Sequence, residues 1–207
     1  MFGQGHDYRI GKKKAKEIIK KIMDKGKESF EVEVFRILEF YGVDIPEYQV
    51  ARSKGDIYYV IDDIGLPVVV KALTSQAVHR EDLEAVIIVR DKKDVETAYP
   101  KALGEIASNL PWLTLEGILV QKYIPHSEKV TFIFERESKK DKGSISVNGE
   151  NPLKLENFDV GLYPFVEPVV AFFKDFSENI RMLEVDFVKA TDEDRWFLVD
   201  GKCYLFY

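Results

Sequence analysis

Apolar positions along the chain change period several times, and each change marks an element. Over residues 12–24, Ile18, Ile19 and Ile22 fall on one side of a helix and lysines on the other. Ser29 can cap a second helix in which Val34, Leu38 and Tyr41 repeat at helical spacing, until Gly42 ends it and Pro46 bars its return. Ser53 caps a third, ending at Ile64 and Gly65. The period then switches: Pro67 to Val70 is β-branched without alternation, which predicts a strand over 67–73 covered on both faces. A strand over Val86–Arg90 follows, then a helix from Lys93 to Ala107 that turns Val95, Ala98, Ala102 and Ile106 inward.

The second half is richer in strands. Gly117 to Ile124 is apolar and closed by Pro125, and Val130–Glu135 continues in strand period. Ser138–Gly143 reads as a charged turn, and SISVNGENP as the edge of a hairpin. Phe165–Phe176 is helical, with Pro168 in its first turn. Two strands close the chain, Met182–Ala190 and Arg195–Phe206, around the loop TDEDR. The pattern is α+β, divided as a helical segment over 1–52, a first lobe over 53–118 and a second over 119–207.

Composition narrows the classes. With 207 residues, 45% hydrophobic, the chain can bury a proper core. No apolar run nears the roughly 18 residues of a membrane span, and the lysine-rich start lacks the apolar stretch of a secretory signal, so the expected location is cytoplasmic with no membrane partner. A net charge of −6 with interspersed signs argues against a nucleic-acid partner, Lys12–Lys14 being a solvated helix face. Cys203 is the only cysteine, which excludes an internal disulfide and a thiolate cluster and leaves a small core residue.

Candidate chemistry lies in the final hairpin and the central strand. If the last loop is centred on Glu193, Asp186 faces Asp200. Directly opposed side chains have Cβ atoms about 5 Å apart, so two like charges there need an offset. Magnesium, with its taste for hard oxygen ligands, would supply one, and Glu184 shares the face by strand alternation. The plain alternative is a solvated acidic face. Lys71 ends an apolar strand, where an ammonium either reaches water or meets an anion. His79 is flanked by Arg80 and Asp82, and a carboxylate can fix a tautomer and raise basicity.

ESFEVEVFRILEFYGVDIPEY, GLPVVVKALTSQAVHREDLEAV, GILVQKYIP, DFSENIRMLEVDF and LVDGK occur in an order that resembles one family: the ATP-grasp (β) subunit of ADP-forming acetyl-CoA and acyl-CoA synthetases, with succinyl-CoA synthetase β-subunits as more distant relatives. The resemblance runs from about Glu28 onward. It implies an ATP-grasp fold, two α/β lobes with a nucleotide cleft between them. It implies ATP or ADP and Mg²⁺ as cofactors, a CoA-binding α-type partner subunit, and interconversion of acid, CoA and ATP with acyl-CoA, ADP and phosphate. Lys71 would contact the phosphates, and the hinge Gln121, Lys122, Tyr123 and Ile124 would hold the adenine. Asp186 and Asp200, with Glu184 beside them, would hold the metal. His79 would accept the phosphoryl group on its way to the partner. Glu84 and Ala85 stand where the family has a glycine pair, which motivates a second reading: an ATP-grasp module without catalysis, serving as a binding or regulatory subunit.

Overall fold

Two antiparallel sheets carry the protein, each with its own core. The computed structural model describes residues 8–25, 31–74, 86–109 and 115–206. Chain contacts divide it into a continuous unit, 46–124, and a discontinuous one formed by residues up to 45 and from 125 onward. The boundaries read from sequence fall after 52 and 118. The contacts draw them after 45 and 124, and the N-terminal helices belong with the C-terminal sheet.

In the continuous unit the sheet order is β1-β4-β2-β3, from β1 (Tyr48–Ala51), β2 (Val68–Thr74), β3 (Val86–Val89) and β4 (Leu115–Lys122). Two helices, α3 (Lys54–Ile64) and α4 (Val95–Asn109), cover one face. The start of α3 is set locally: Ser53 accepts from the Asp56 N–H, and Asp56 in turn accepts from the Ser53 N–H, a reciprocal capping box. Its apolar stripe, Ile57, Val60, Ile61 and Ile64, meets Val68, Val70 and Ala72 of β2 and Ile118 and Val120 of β4. Alternation then leaves Val69, Lys71, Leu119 and Gln121 on the opposite sheet face. The expected strand thus extends to Thr74, and Lys71 stands within it rather than at its end. The edge strand β1 was not foreseen; YQVA is too short for a period to show. Pro100 sits inside α4, which runs through it.

In the discontinuous unit the order is β7-β6-β5-β8-β9: β5 is His126–Glu135, β6 Ser144–Val147, β7 Leu153–Lys154, β8 Ile180–Ala190 and β9 Trp196–Leu205. Helix α1 (Tyr8–Lys25) packs on α2 (Glu31–Phe40), and α2 packs on β9 and α5 (Glu167–Asp175). That contact requires Gly201, where a Cβ would come within 2.9 Å of Val34 Cγ1. Phe132 on β5 is fully buried and meets Phe158, Tyr163, Phe165 and Phe187 edge-on, an arrangement favoured by ring quadrupoles. Asn148 and Gly149 both take left-handed backbone (φ 51 and 75), the geometry of a type I′ turn after β6. Cys203 is buried and desolvation raises its thiol pKa, consistent with an inert core residue. The helix at 165–176 begins as a short 3₁₀ turn, with Pro168 in the first turn of α5 as expected.

The β8–β9 hairpin contains an irregularity that matters for the site. Next to the loop, Lys189 pairs with Trp196, Val188 with Phe197 and Phe187 with Leu198. The next pair is Asp186 with Asp200, so Val199 is an extra residue in β9. The core face of β9 therefore runs through Trp196 and Leu198, then changes parity to Gly201, Cys203 and Leu205.

Candidate functional site

The continuous unit contributes a cation and an amide. Lys71 lies opposite Leu119 on β4 and Val86 on β3, and only 6% of it is exposed. Gln121 lies opposite Val69 and Tyr48 on the same face and is 1% exposed. Its Nε2 is buried with no hydrogen-bond partner among the described residues. An unmet buried amide donor costs about 1–3 kcal/mol, so this group is primed for an acceptor that the described residues do not supply.

The rest of the expected hinge is more committed. Lys122 lies on the other sheet face, and its Nζ donates to the carbonyls of Gly65 and Leu66, both at 3.0 Å, clamping the turn that feeds β2. The backbone N–H of Lys122 donates to Glu47 O at 2.8 Å and that of Tyr123 to Pro67 O at 3.1 Å. The Arg90 guanidinium sits 5.5 Å from the Tyr123 ring centroid. Within Gln121–Ile124, the side-chain amide of Gln121 is the group that stands out as available.

The discontinuous unit contributes the carboxylates. Asp186 and Asp200 are direct partners across β8 and β9, the pairing expected from the loop. Asp186 is 8% exposed; its Oδ1 accepts from Thr131 Oγ1 at 2.6 Å, and its Oδ2 lies 2.9 Å from Lys129 Nζ. The Asp200 Oδ1 accepts the Gly201 N–H at 2.9 Å. Glu184, expected beside them as a ligand, has Lys202 Nζ at 3.3 Å from its Oε1. Thr131 and Lys129 were not among the residues singled out from sequence. The alternation of HSEKVTFIFE carries the signal, because Val130, Phe132 and Phe134 point to the core and send Lys129 and Thr131 to the opposite face.

Two opposed carboxylates fit magnesium, which characteristically binds through one or two protein carboxylates and completes its octahedron with water and phosphate oxygens. Among the described residues no cluster of three or more His, Cys, Asp or Glu gathers as a metal site, so the share of the described residues would be this pair. Lys129 now supplies the positive charge that the Asp186–Asp200 juxtaposition requires. His79, with Arg80, Asp82, Glu84 and Ala85, lies outside the described residues. Among the described residues no helix is long and apolar enough to cross a membrane.

The fold and the residue order agree with the comparisons. The model of the ATP-grasp domain family matches residues 21–158, and the chain belongs to that family. The ADP-forming acetate–CoA ligase I of Archaeoglobus fulgidus is 29% identical over 131 residues, 63% of this chain and 19% of that protein. The β-subunit of the corresponding ligase I of Pyrococcus furiosus is 29% identical over 118 residues, 56% of this chain and 51% of that one. The chain thus spans from about a fifth to half of the length of these relatives. Among solved structures, the dinucleotide-forming acetyl-coenzyme A synthetase 1 of Candidatus Korarchaeum cryptofilum, in complex with coenzyme A and Ca-AMPCP, superposes with a TM-score of 0.75 at 19% identity. That match covers 93% of this chain and the whole of the other.

Proposed function

We propose that this chain is the nucleotide-binding ATP-grasp component of an ADP-forming acid–CoA ligase, acting with a CoA-binding α-type subunit. The observation that carries this reading is the Asp186–Asp200 pair, two hard-oxygen ligands held face to face on adjacent strands. The naming of the Pyrococcus furiosus relative as a β-subunit and the nucleotide analogue and coenzyme A in the Korarchaeum complex support it.

In this reading Lys71 grips the nucleotide phosphates. A buried ammonium is well suited, because an ion–phosphate contact in a poorly solvated setting is stronger than the same contact in water. The Gln121 amide donates to the base. Asp186 and Asp200 hold Mg²⁺, which when bound neutralises phosphate charge, and Lys129 must release Asp186 for this. An imidazole nitrogen of His79 attacks the terminal phosphorus, forming an N–P bond as the bond to the ADP oxygen breaks and ADP departs with the electron pair. The phosphoryl group then passes to the acid bound with the partner, and acyl transfer to CoA follows.

The test is incubation of the full chain with terminally labelled ATP and Mg²⁺, with and without a candidate CoA-binding subunit. Acid-labile label that disappears in His79→Ala is expected. Tight nucleotide binding with no label in any combination would replace the ligase by a non-catalytic module. Lys71→Ala should weaken nucleotide binding by roughly tenfold or more, read by calorimetry. Unchanged affinity would remove Lys71 from the site.

A further inference from the structure

Away from the carboxylate pair, the discontinuous unit has a cavity of about 400 Å³ between the β5–β6 turn and the C-terminal end of α5. Its wall carries five cationic side chains, Arg136, Lys139, Lys140, Lys142 and Lys174, against two carboxylates, Asp141 and Glu156, a surplus of three positive charges in a chain of net charge −6. Neither carboxylate neutralises the surplus. Asp141 is occupied in shaping the turn: it accepts from the backbone N–H groups of Gly143 and Glu137, which hold its pKa below the usual range. Glu156 pairs with Lys142 at 2.9 Å. Among the described residues nothing pairs with Lys139, Lys140 or Lys174.

The floor is a built feature rather than a solvated lysine face. Arg136 is 4% exposed, stacks 3.6 Å from the Phe173 ring centroid, and donates to three carbonyls: Asp141 at 3.2 Å, Ile180 at 3.3 Å and Phe173 at 2.7 Å. A guanidinium has five N–H donors, so two remain, and no carboxylate pairs with it. Burial pushes its pKa down to about 10 against the opposing pull of the Asp141 carboxylate, the mark of a poorly solvated cation. Ser177 adds a hydroxyl and buried Leu155 an apolar wall.

We propose that this cavity binds a small multivalent phosphate compound, with Lys139, Lys140 and Lys174 as its charge partners and Arg136 beneath it. Size and shape select the class. The volume lies within the range of small-molecule pockets, and the cations converge on one concavity instead of lining an extended stripe. This site stands apart from the nucleotide reading above and uses none of its residues.

The experiment is a titration of the ¹⁵N-labelled full chain with inorganic tripolyphosphate and, separately, with ATP, following amide resonances of residues 139–143 and Ser177. Saturable shifts are expected, weakened roughly tenfold or more in the exposed double variant Lys139→Glu/Lys140→Glu, with Lys71→Ala leaving them unchanged. Response to both ligands would assign a nucleotide polyphosphate, and response to tripolyphosphate alone an inorganic one; either supports the site. Equal shifts from sodium chloride at matched ionic strength, affinity unaltered by the double variant, no saturable shift at all, or tighter binding of a glutamate hexapeptide at the same amides would each overturn it.

Discussion

On the β1-β4-β2-β3 sheet, the face away from α3 and α4 holds Lys71 and Gln121 among Val69, Leu119 and Tyr48, and the Gln121 amide nitrogen has no partner among the described residues. On the β7-β6-β5-β8-β9 sheet, the polar face holds Asp186, Thr131, Lys129, Glu184 and Lys202 in mutual bonds of 2.6–3.3 Å. One sheet carries an unmet donor, whereas the other balances its charges internally. The contrast teaches that polar groups on two sheet faces can be accommodated differently. A buried donor can be left without a partner among the described residues, or a carboxylate can be matched by a hydroxyl and an ammonium beside it.

The largest expected effect tests the balanced sheet. Asp186→Ala removes a short hydroxyl–carboxylate bond and an ion pair together, and should cost about 1–3 kcal/mol in urea unfolding. A negligible loss would mean that the network contributes no stability. Next comes the other sheet. Gln121→Leu should change stability by less than about 1 kcal/mol, or raise it, because it removes a buried donor that has nothing to lose. A cost near that of Asp186→Ala would abolish the contrast between the faces.

The smallest effect concerns acid. Backbone donation lowers the pKa of Asp56, chiefly from the Arg52 N–H, and of Asp91, chiefly from the Lys93 N–H, while hydrogen bonds from Lys54 and then Tyr58 lower that of Glu96. Each folded-state value lies below the unfolded one. Their stabilisation is therefore complete above the ordinary carboxylate range and fades as pH falls through the lowered values. Urea midpoints between pH 6 and 3 should fall less steeply in Asp56→Asn/Asp91→Asn than in the parent. Parallel curves would show that the caps of the continuous unit add nothing to its acid response.

Local chemistry made much of this legible in advance. Ser53, the break at Gly42 and the apolar runs at 67–73 and 117–124 specify elements through neighbours a few residues away, and the helix, the stop and the two strands form there, with strand ends shifted by one or two residues. What escaped depends on partners distant in sequence. Lys129 meets Asp186 only because β5 lies beside β8, and Arg136 is buried only because its guanidinium finds carbonyls at Phe173 and Ile180. The aspartate pairing was anticipated from a loop centred on Glu193. The pairs beside the loop, continued unbroken, would instead set Asp186 against Val199. The extra residue compensates for that offset, so the expected partner was reached through geometry that strand alternation alone does not encode.

Val199 consequently works as a phase corrector. Drawing that residue into regular pairing opposite Asp186, so that the bulge is lost, would act on β9 like a frameshift written in three dimensions: Asp200 and Lys202 would turn toward the aromatic interior, and Gly201 and Cys203 would emerge on the charged side. The strand could keep its length and its hydrogen-bonding capacity and still have its inside and outside exchanged. At this hairpin, counting residues governs chemistry as firmly as their identity does.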